Sequence, residues 1–164
     1  MPDAEAMRAY VELALDEQWR GVSVPFVIVD AASAEVVGST RYGNIDRANR
    51  RVEIGWTWLA VSHQRTAANT GAKRLLLGHA FDDLCAMRVE FKTDALNETS
   101  RNAILRIGAT QEGLFRKHLI TASGRVRDTV YFSILDSEWP AVRAGLDKRL
   151  DDRLDPRLAP SLTT

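Results

Sequence analysis

Between Arg51 and Ala109 the chain twice runs from an apolar strand through a polar turn into a helix, and the residues at those two helix entrances are equipped for chemistry. The first stretch reads VEIGWTWLAVS and then HQRTAANTGAK; the second reads RVEFKTDALNETSRNAILRIGA. A helix start presents backbone N–H groups that no helical carbonyl satisfies. The helix dipole adds partial positive charge there, so an anion is favoured. Arg65, Thr66, Ala67, Ala68, Asn69 and Thr70 would form such a cradle, mostly through backbone N–H groups, with Arg65 adding a charge-assisted contact. The second entrance supplies Asn97 and Ser100, one turn apart. Ordinary helix capping would also explain Thr or Asn at these places. Two anion-favouring starts beside two strand ends suit a long phosphorylated cofactor laid across the sheet, which argues for an enzyme.

The elements that must position these residues follow from periodicity. Val52, Ile54, Trp56 and Trp58 alternate with Glu53, Gly55 and Thr57, which predicts a strand with an apolar face holding both tryptophans. Leu76, Ala80, Phe81 and Leu84 fall on one stripe of a helix over about 70–84, leaving Lys73 and Arg74 as solvated charges. Ala103, Ile104 and Ile107 mark a further helix, begun at Asn97 or Glu98 and ended by Gly108. Met7, Tyr10, Val11 and Ala14 mark an N-terminal helix. FVIVD and EVVGSTRY read as a hairpin after Pro25, and GNIDRANRR as a loop. LFRKHLI and RDTVYFSIL read as strands joined at Ser123-Gly124, and SEWPAVRAGLDKRL as a last helix. These mixed elements predict one α/β or α+β domain over 1–150 with a polar tail over 151–164.

Composition narrows the function classes. Twenty-two basic and 22 acidic side chains cancel, which gives no electrostatic argument for nucleic acid or an anionic membrane. No apolar run approaches the roughly 20 residues of a membrane-spanning helix, and MPDAEAMRAY lacks the apolar core of a signal peptide, so a cytoplasmic location is expected. Cys85 is the single cysteine, which excludes an internal disulfide and predicts a buried, inert thiol. His63, His79 and His118 lie at no metal-ligand spacing, so no metal is expected. The basic run Arg41, Arg47, Arg50 and Arg51 reads as a solvated face.

EIGWTWLA, QRTAANTGAK, TDALNETSRNAILRIGA and RVRDTVYFSI, in that order, resemble GNAT-fold N-acetyltransferases, close to the branch that acetylates ribosomal protein N-termini. The resemblance covers roughly Tyr10 to Leu150. It implies a mixed, mostly antiparallel central sheet flanked by helices, splayed after the strand holding Glu53, with acetyl-CoA in the splay. The family loop reads Gln/Arg-x-x-Gly-x-Gly/Ala, whereas the matching positions are Gln64, Ala67 and Asn69. Ala67 and Ala68 remain small, and Asn tolerates left-handed geometry. A tyrosine acid common in relatives is replaced by Ile104, while the serine used in the ribosomal-protein branch is present as Ser100. The chain begins at what resembles the family's second helix, without its first strand and helix; a homodimer could cover the edge that strand would occupy.

The resemblance makes Glu53 the general base, directly or through water, and Ser100 the donor to the departing sulfur. A strand carboxylate paired with a nearby arginine and a helix-capping serine are the plain alternatives. Backbone N–H groups at Leu59 to Val61 would polarise the acetyl carbonyl. Gln64, Asn97 and Arg101 would contact the cofactor, and Trp56 would line the acceptor entrance. The implied reaction is direct transfer in a ternary complex onto a primary amine. An N-terminal α-amine, with a reference pKa near 8 against about 10.4 for lysine, is the acceptor more easily deprotonated. A small-molecule amine such as a polyamine or antibiotic, and a non-catalytic acyl-CoA-binding module, are the other readings.

Overall fold

A computed structural model describes residues 3–154. In chain order the elements are α1 (Ala4–Trp19), β1 (Val24–Val29), β2 (Val36–Asp46), β3 (Arg51–Leu59), α2 (Ala68–Gly78), β4 (Arg88–Asp94), α3 (Glu98–Arg106), β5 (Thr110–Ile120), β6 (Val126–Leu135) and α4 (Trp139–Leu154). The strands form one open sheet in the order β1-β2-β3-β4-β6-β5. Every neighbouring pair is antiparallel except β3–β4, which is parallel. This is the mixed, mostly antiparallel sheet expected from the sequence.

One face of the sheet is apolar and carries the core. Tyr42, Val52, Ile54, Val89, Phe91, Val130, Phe132 and Ile134 are buried there beneath Leu76 and Leu77 of α2, Ile104 of α3, and Trp139 and Leu146 of α4. The phenol of Tyr42 donates to the carbonyl of Leu76, which satisfies the one polar atom this ring brings into the core. Gly108, at φ +95°, ends the turn after α3 where a side chain would press on Val142. Gly124, at φ +80°, makes the expected turn between β5 and β6.

α1 lies over the other face. Asp3 caps it by accepting from the Ala6 N–H at 2.7 Å. Arg41, on the face opposite Tyr42, is buried, bonds Glu17 of α1 at 2.8 Å and lies over the Tyr10 ring. The solvated basic face predicted for the arginine run therefore fails at Arg41, because α1 covers that part of β2.

Other expectations need correction. Gly43–Asp46, read as loop, extends β2, since Gly43 and Asp46 pair with Glu53 and Arg51. β1 begins at Val24 and includes Pro25, tolerated because β1 is a sheet edge. Cys85 is exposed, held in a left-handed turn at φ +53° after the wide turn His79–Asp83 that extends α2. Leu84 is exposed for the same reason: the regular helical stripe stops before it. α4 continues through Leu154, four residues into the expected tail, and residues 155–164 lie outside the described chain.

Candidate active site

The parallel pair β3–β4 is short. Its register holds only Arg51 to Arg88, Val52 to Val89 and Glu53 to Glu90, although β3 runs on to Leu59 and β4 to Asp94. Beyond Glu53 and Glu90 the two strands part, opening the splay expected from the sequence. A bulge in β3 marks the opening. Ser39 pairs with Trp58 and Arg41 with Gly55, so Trp56 and Thr57 together oppose Thr40, and Trp56 takes φ +49°.

That bulge overturns the predicted alternation. Trp56 and Trp58 are exposed rather than core, because the extra residue reverses the faces after Gly55. The ring of Trp56 lies against Gly43, where any Cβ would collide with it. Gly43 pairs with Glu53, so the Trp56 ring lies on the same face of the sheet as that carboxylate, one strand pairing away.

Glu53 lies on the polar face, as read from the sequence, but buried rather than solvated. Its Oε2 accepts from Asn44 Nδ2 at 2.5 Å and pairs with Lys92 Nζ at 2.7 Å. Oε1 lies on the Gly55 side, 3.2 Å from where a Cβ at that glycine would stand. It accepts no hydrogen bond from any described residue. The same face continues as a charged ribbon. Glu90 receives Arg88 at 2.9 Å and Arg51 at 3.3 Å, and Glu112 receives Arg88 and, at 2.8 Å, the Ser133 hydroxyl. The hydrogen bond from Arg88 holds the Glu112 carboxyl below its ordinary range despite partial burial.

Both helix entrances open at the carboxyl ends of the parallel strands, the usual place for a ligand crevice in a sheet with a parallel pair. After β3 the chain makes a single helical turn at Val61–His63, and Gln64 Nε2 donates back to the Leu59 carbonyl at 3.1 Å. Arg65 is left-handed at φ +63°. Thr66 donates to the His63 carbonyl at 2.7 Å and accepts from the Ala68 N–H at 3.2 Å. α2 then starts on Ala67, which supplies no side-chain cap. Asn69 is half-buried and Thr70 buried. Ala67 gives no side-chain cap and Thr66 takes up only the Ala68 N–H, so the other first-turn donors lie beside two alanines of little bulk, which fits a diphosphate.

Some expected atoms are already engaged. The Ala60 N–H, midway between Leu59 and Val61, donates to the Val37 carbonyl at 2.8 Å, so it is spent on the sheet. Asn97 caps α3, its Oδ1 accepting from the Ser100 N–H at 2.9 Å, which leaves its Nδ2 for a ligand. Ser100 is half-buried, and its hydroxyl bonds no described residue. Arg101 donates to the Ala95 carbonyl at 3.2 Å and so fixes the β4–α3 turn.

Four residues escaped the sequence reading. Lys92 and Tyr131 join Glu53 on the polar face, with Nζ 4.9 Å from the Tyr131 centroid, and Asn44 completes the carboxylate's partners. The signal was available: Glu90 and Lys92 in β4, and Tyr131 and Ser133 in β6, alternate with core residues. Lys73 is the fourth and corrects the expectation of a solvated charge. It is buried, with Nζ 2.7 Å from Thr57 Oγ1 and 3.4 Å from Thr40 Oγ1, and burial lowers its pKa to about 7. Arg74 is likewise engaged, bonding Asp147 of α4 at 2.6 Å. Among the described residues no cluster of His, Cys, Asp and Glu could hold a metal, and no helix is long and apolar enough to cross a membrane.

Comparison with known proteins agrees with this geometry. The profile of the acetyltransferase (GNAT) domain matches residues 1–110. The Bacillus subtilis protein named "Putative ribosomal N-acetyltransferase YdaF" is 38% identical over 96 residues, covering 58% of this chain and 51% of its own length. The chain therefore spans about half of that relative. A GCN5-related N-acetyltransferase from Brucella melitensis superposes with a TM-score of 0.80 at 38% identity, over 87% of this chain and 65% of that one. Mycobacterium smegmatis RimJ, solved in complex with CoA-disulfide, superposes with a TM-score of 0.76 at 27% identity, over 88% and 68%. A sheet splayed after a buried glutamate, a helix entrance at the splay and a profile matched over most of the chain place this protein in the GNAT acetyltransferase family.

Proposed function

We propose that this chain transfers an acetyl group from acetyl-CoA to a primary amine, the α-amine of a protein N-terminus, by direct attack in a ternary complex. The observation that carries the reading is the splay beyond Glu53 and Glu90, flanked by the start of α2. Acetyl-CoA supplies an activated thioester. Residues Arg65 to Thr70 would hold its diphosphate, and Asn97 Nδ2 its amide-bearing arm. Glu53 Oε1 would take the proton of the incoming amine, Oε2 being fixed by Asn44 and Lys92. Ser100, with its hydroxyl unengaged, would donate to the sulfur. Trp56 would border the acceptor.

The α-amine is favoured because one carboxylate base abstracts a proton more readily from an ammonium of pKa near 8 than from one near 10.4. The name of YdaF, a putative ribosomal N-acetyltransferase, points the same way. The test is thiol release from acetyl-CoA with N-terminal peptides and with polyamines as acceptors, using the wild type and Glu53→Gln. The expected result is acceleration by peptides, lost in the variant with acetyl-CoA affinity unchanged. Full activity of Glu53→Gln removes Glu53 from the chemistry, and acceleration by polyamines alone replaces the acceptor.

A further inference from the structure

The polar face holds an ammonium to which the acetyl-transfer reading gives only the task of holding Glu53 Oε2 before the acceptor arrives. Lys92 Nζ sits 2.7 Å from Glu53 Oε2, 3.9 Å from Glu90 Oε2 and 4.9 Å from the Tyr131 ring centroid. Phe115 meets that ring edge-on at 4.5 Å, and His118 lies 5.7 Å away, so the aromatic wall is fixed from behind. Two carboxylates and an aromatic face make a site shaped for a compact cation. A cavity of about 380 Å³ adjoins it, lined by Arg51, Arg88, Glu90, Lys92, Phe115 and Tyr131. The Lys92 side chain is only 19% exposed, at the end of a flexible four-carbon stem bordering that cavity.

We propose that Lys92 is a specificity-determining residue: its ammonium occupies the acceptor-amine seat formed by Glu53, Glu90 and the Tyr131 ring, and an acceptor amine binds by displacing it. The inference rests on the acetyl-transfer reading only in placing the acceptor beside Glu53. Its physical basis is identity of chemistry, since a primary ammonium from a substrate makes the same contacts as the ammonium already there. Burial alone would lower the Lys92 pKa, but the hydrogen bond and charge of Glu53, with Tyr131 and Glu90, carry it above the ordinary lysine value. The seat thus holds a charged occupant, and that occupant competes with every cationic acceptor. Removing it should tighten amine binding without touching the cofactor end of the splay.

The experiment is a calorimetric titration of the full chain with Ala-Ala-amide, which has a free α-ammonium, and with its N-acetylated form, both with and without CoA. Wild type is compared with Lys92→Met and with Lys92→Gln, which keeps a donor for Glu53; melting temperatures verify folding. Both variants should bind the free-amine probe at least about tenfold tighter than wild type. The N-acetylated probe should show no change. Equal free-amine affinity in all three proteins, or binding to none at millimolar probe, overturns the proposal. A failure of the acetyl-CoA reading appears separately, as a missing CoA isotherm in the wild type, and leaves the CoA-free amine titration readable.

Discussion

Replacing Lys73 with Met should flatten the dependence of stability on pH in the alkaline range. In the native chain this amine is buried among Thr40, Thr57 and the Phe91 ring, and no carboxylate contributes to its pKa; burial is the sole cause of its fall from 10.5 to about 7. The unfolded chain keeps the amine protonated up to about 10.5, while the folded chain releases its proton near 7. Between those values unfolding takes up one proton, so raising the pH opposes unfolding. The penalty for the ammonium is full below about pH 7 and relieved as the pH climbs towards 10.5. A shift from 10.5 to about 7 corresponds to roughly 5 kcal/mol at about 1.36 kcal/mol per unit. Between about pH 7.5 and about pH 9 the native chain should gain about 2 kcal/mol relative to Lys73→Met, measured by urea unfolding of both proteins. Lys73→Met should also be the more stable protein near neutral pH, since Thr40 and Thr57 still bond each other at 2.8 Å. Identical pH slopes in the two proteins would refute the reasoning.

Two further variants test the frame and the chemistry. Glu17→Ala strands buried Arg41 without its carboxylate and should cost about 3 kcal/mol in urea unfolding, with faster amide exchange in α1; unchanged stability would mean that this pair does not anchor α1. Ser100→Ala keeps the α3 cap, because Asn97 bonds the backbone N–H, and should lower kcat about tenfold at constant stability. Unchanged kcat would assign Ser100 to the helix alone.

The fold was legible where periodicity and punctuation agree. Gly108 and Gly124 mark the end of α3 and the β5–β6 turn, and the stripe Leu76, Ala80 and Phe81 marks the buried side of α2 and of the wide turn that extends it. The polar side of Glu53 was also readable from alternation. Trp56 was misread because a bulge adds one residue to β3, and strict alternation cannot register an insertion that only pairing with β2 reveals. Lys73 was misread because a lysine among small and polar residues of α2 carries no sign that threonines of β2 and β3 await it. Arg41 and Cys85 failed similarly: α1 covers the first, and a left-handed turn exposes the second. The ion pair between Glu53 and Lys92 joins residues 39 positions apart by number, through the β3–β4 register.

The acetyl-transfer reading depends on where acetyl-CoA lies. The most direct measurement is a crystal structure of the protein with the bound thioester. The account predicts the diphosphate on the backbone N–H groups between Ala67 and Thr70 and the acetyl group between β3 and β4 beyond Glu53. A diphosphate bound elsewhere, or β3 and β4 closed on each other past Glu53, would contradict it.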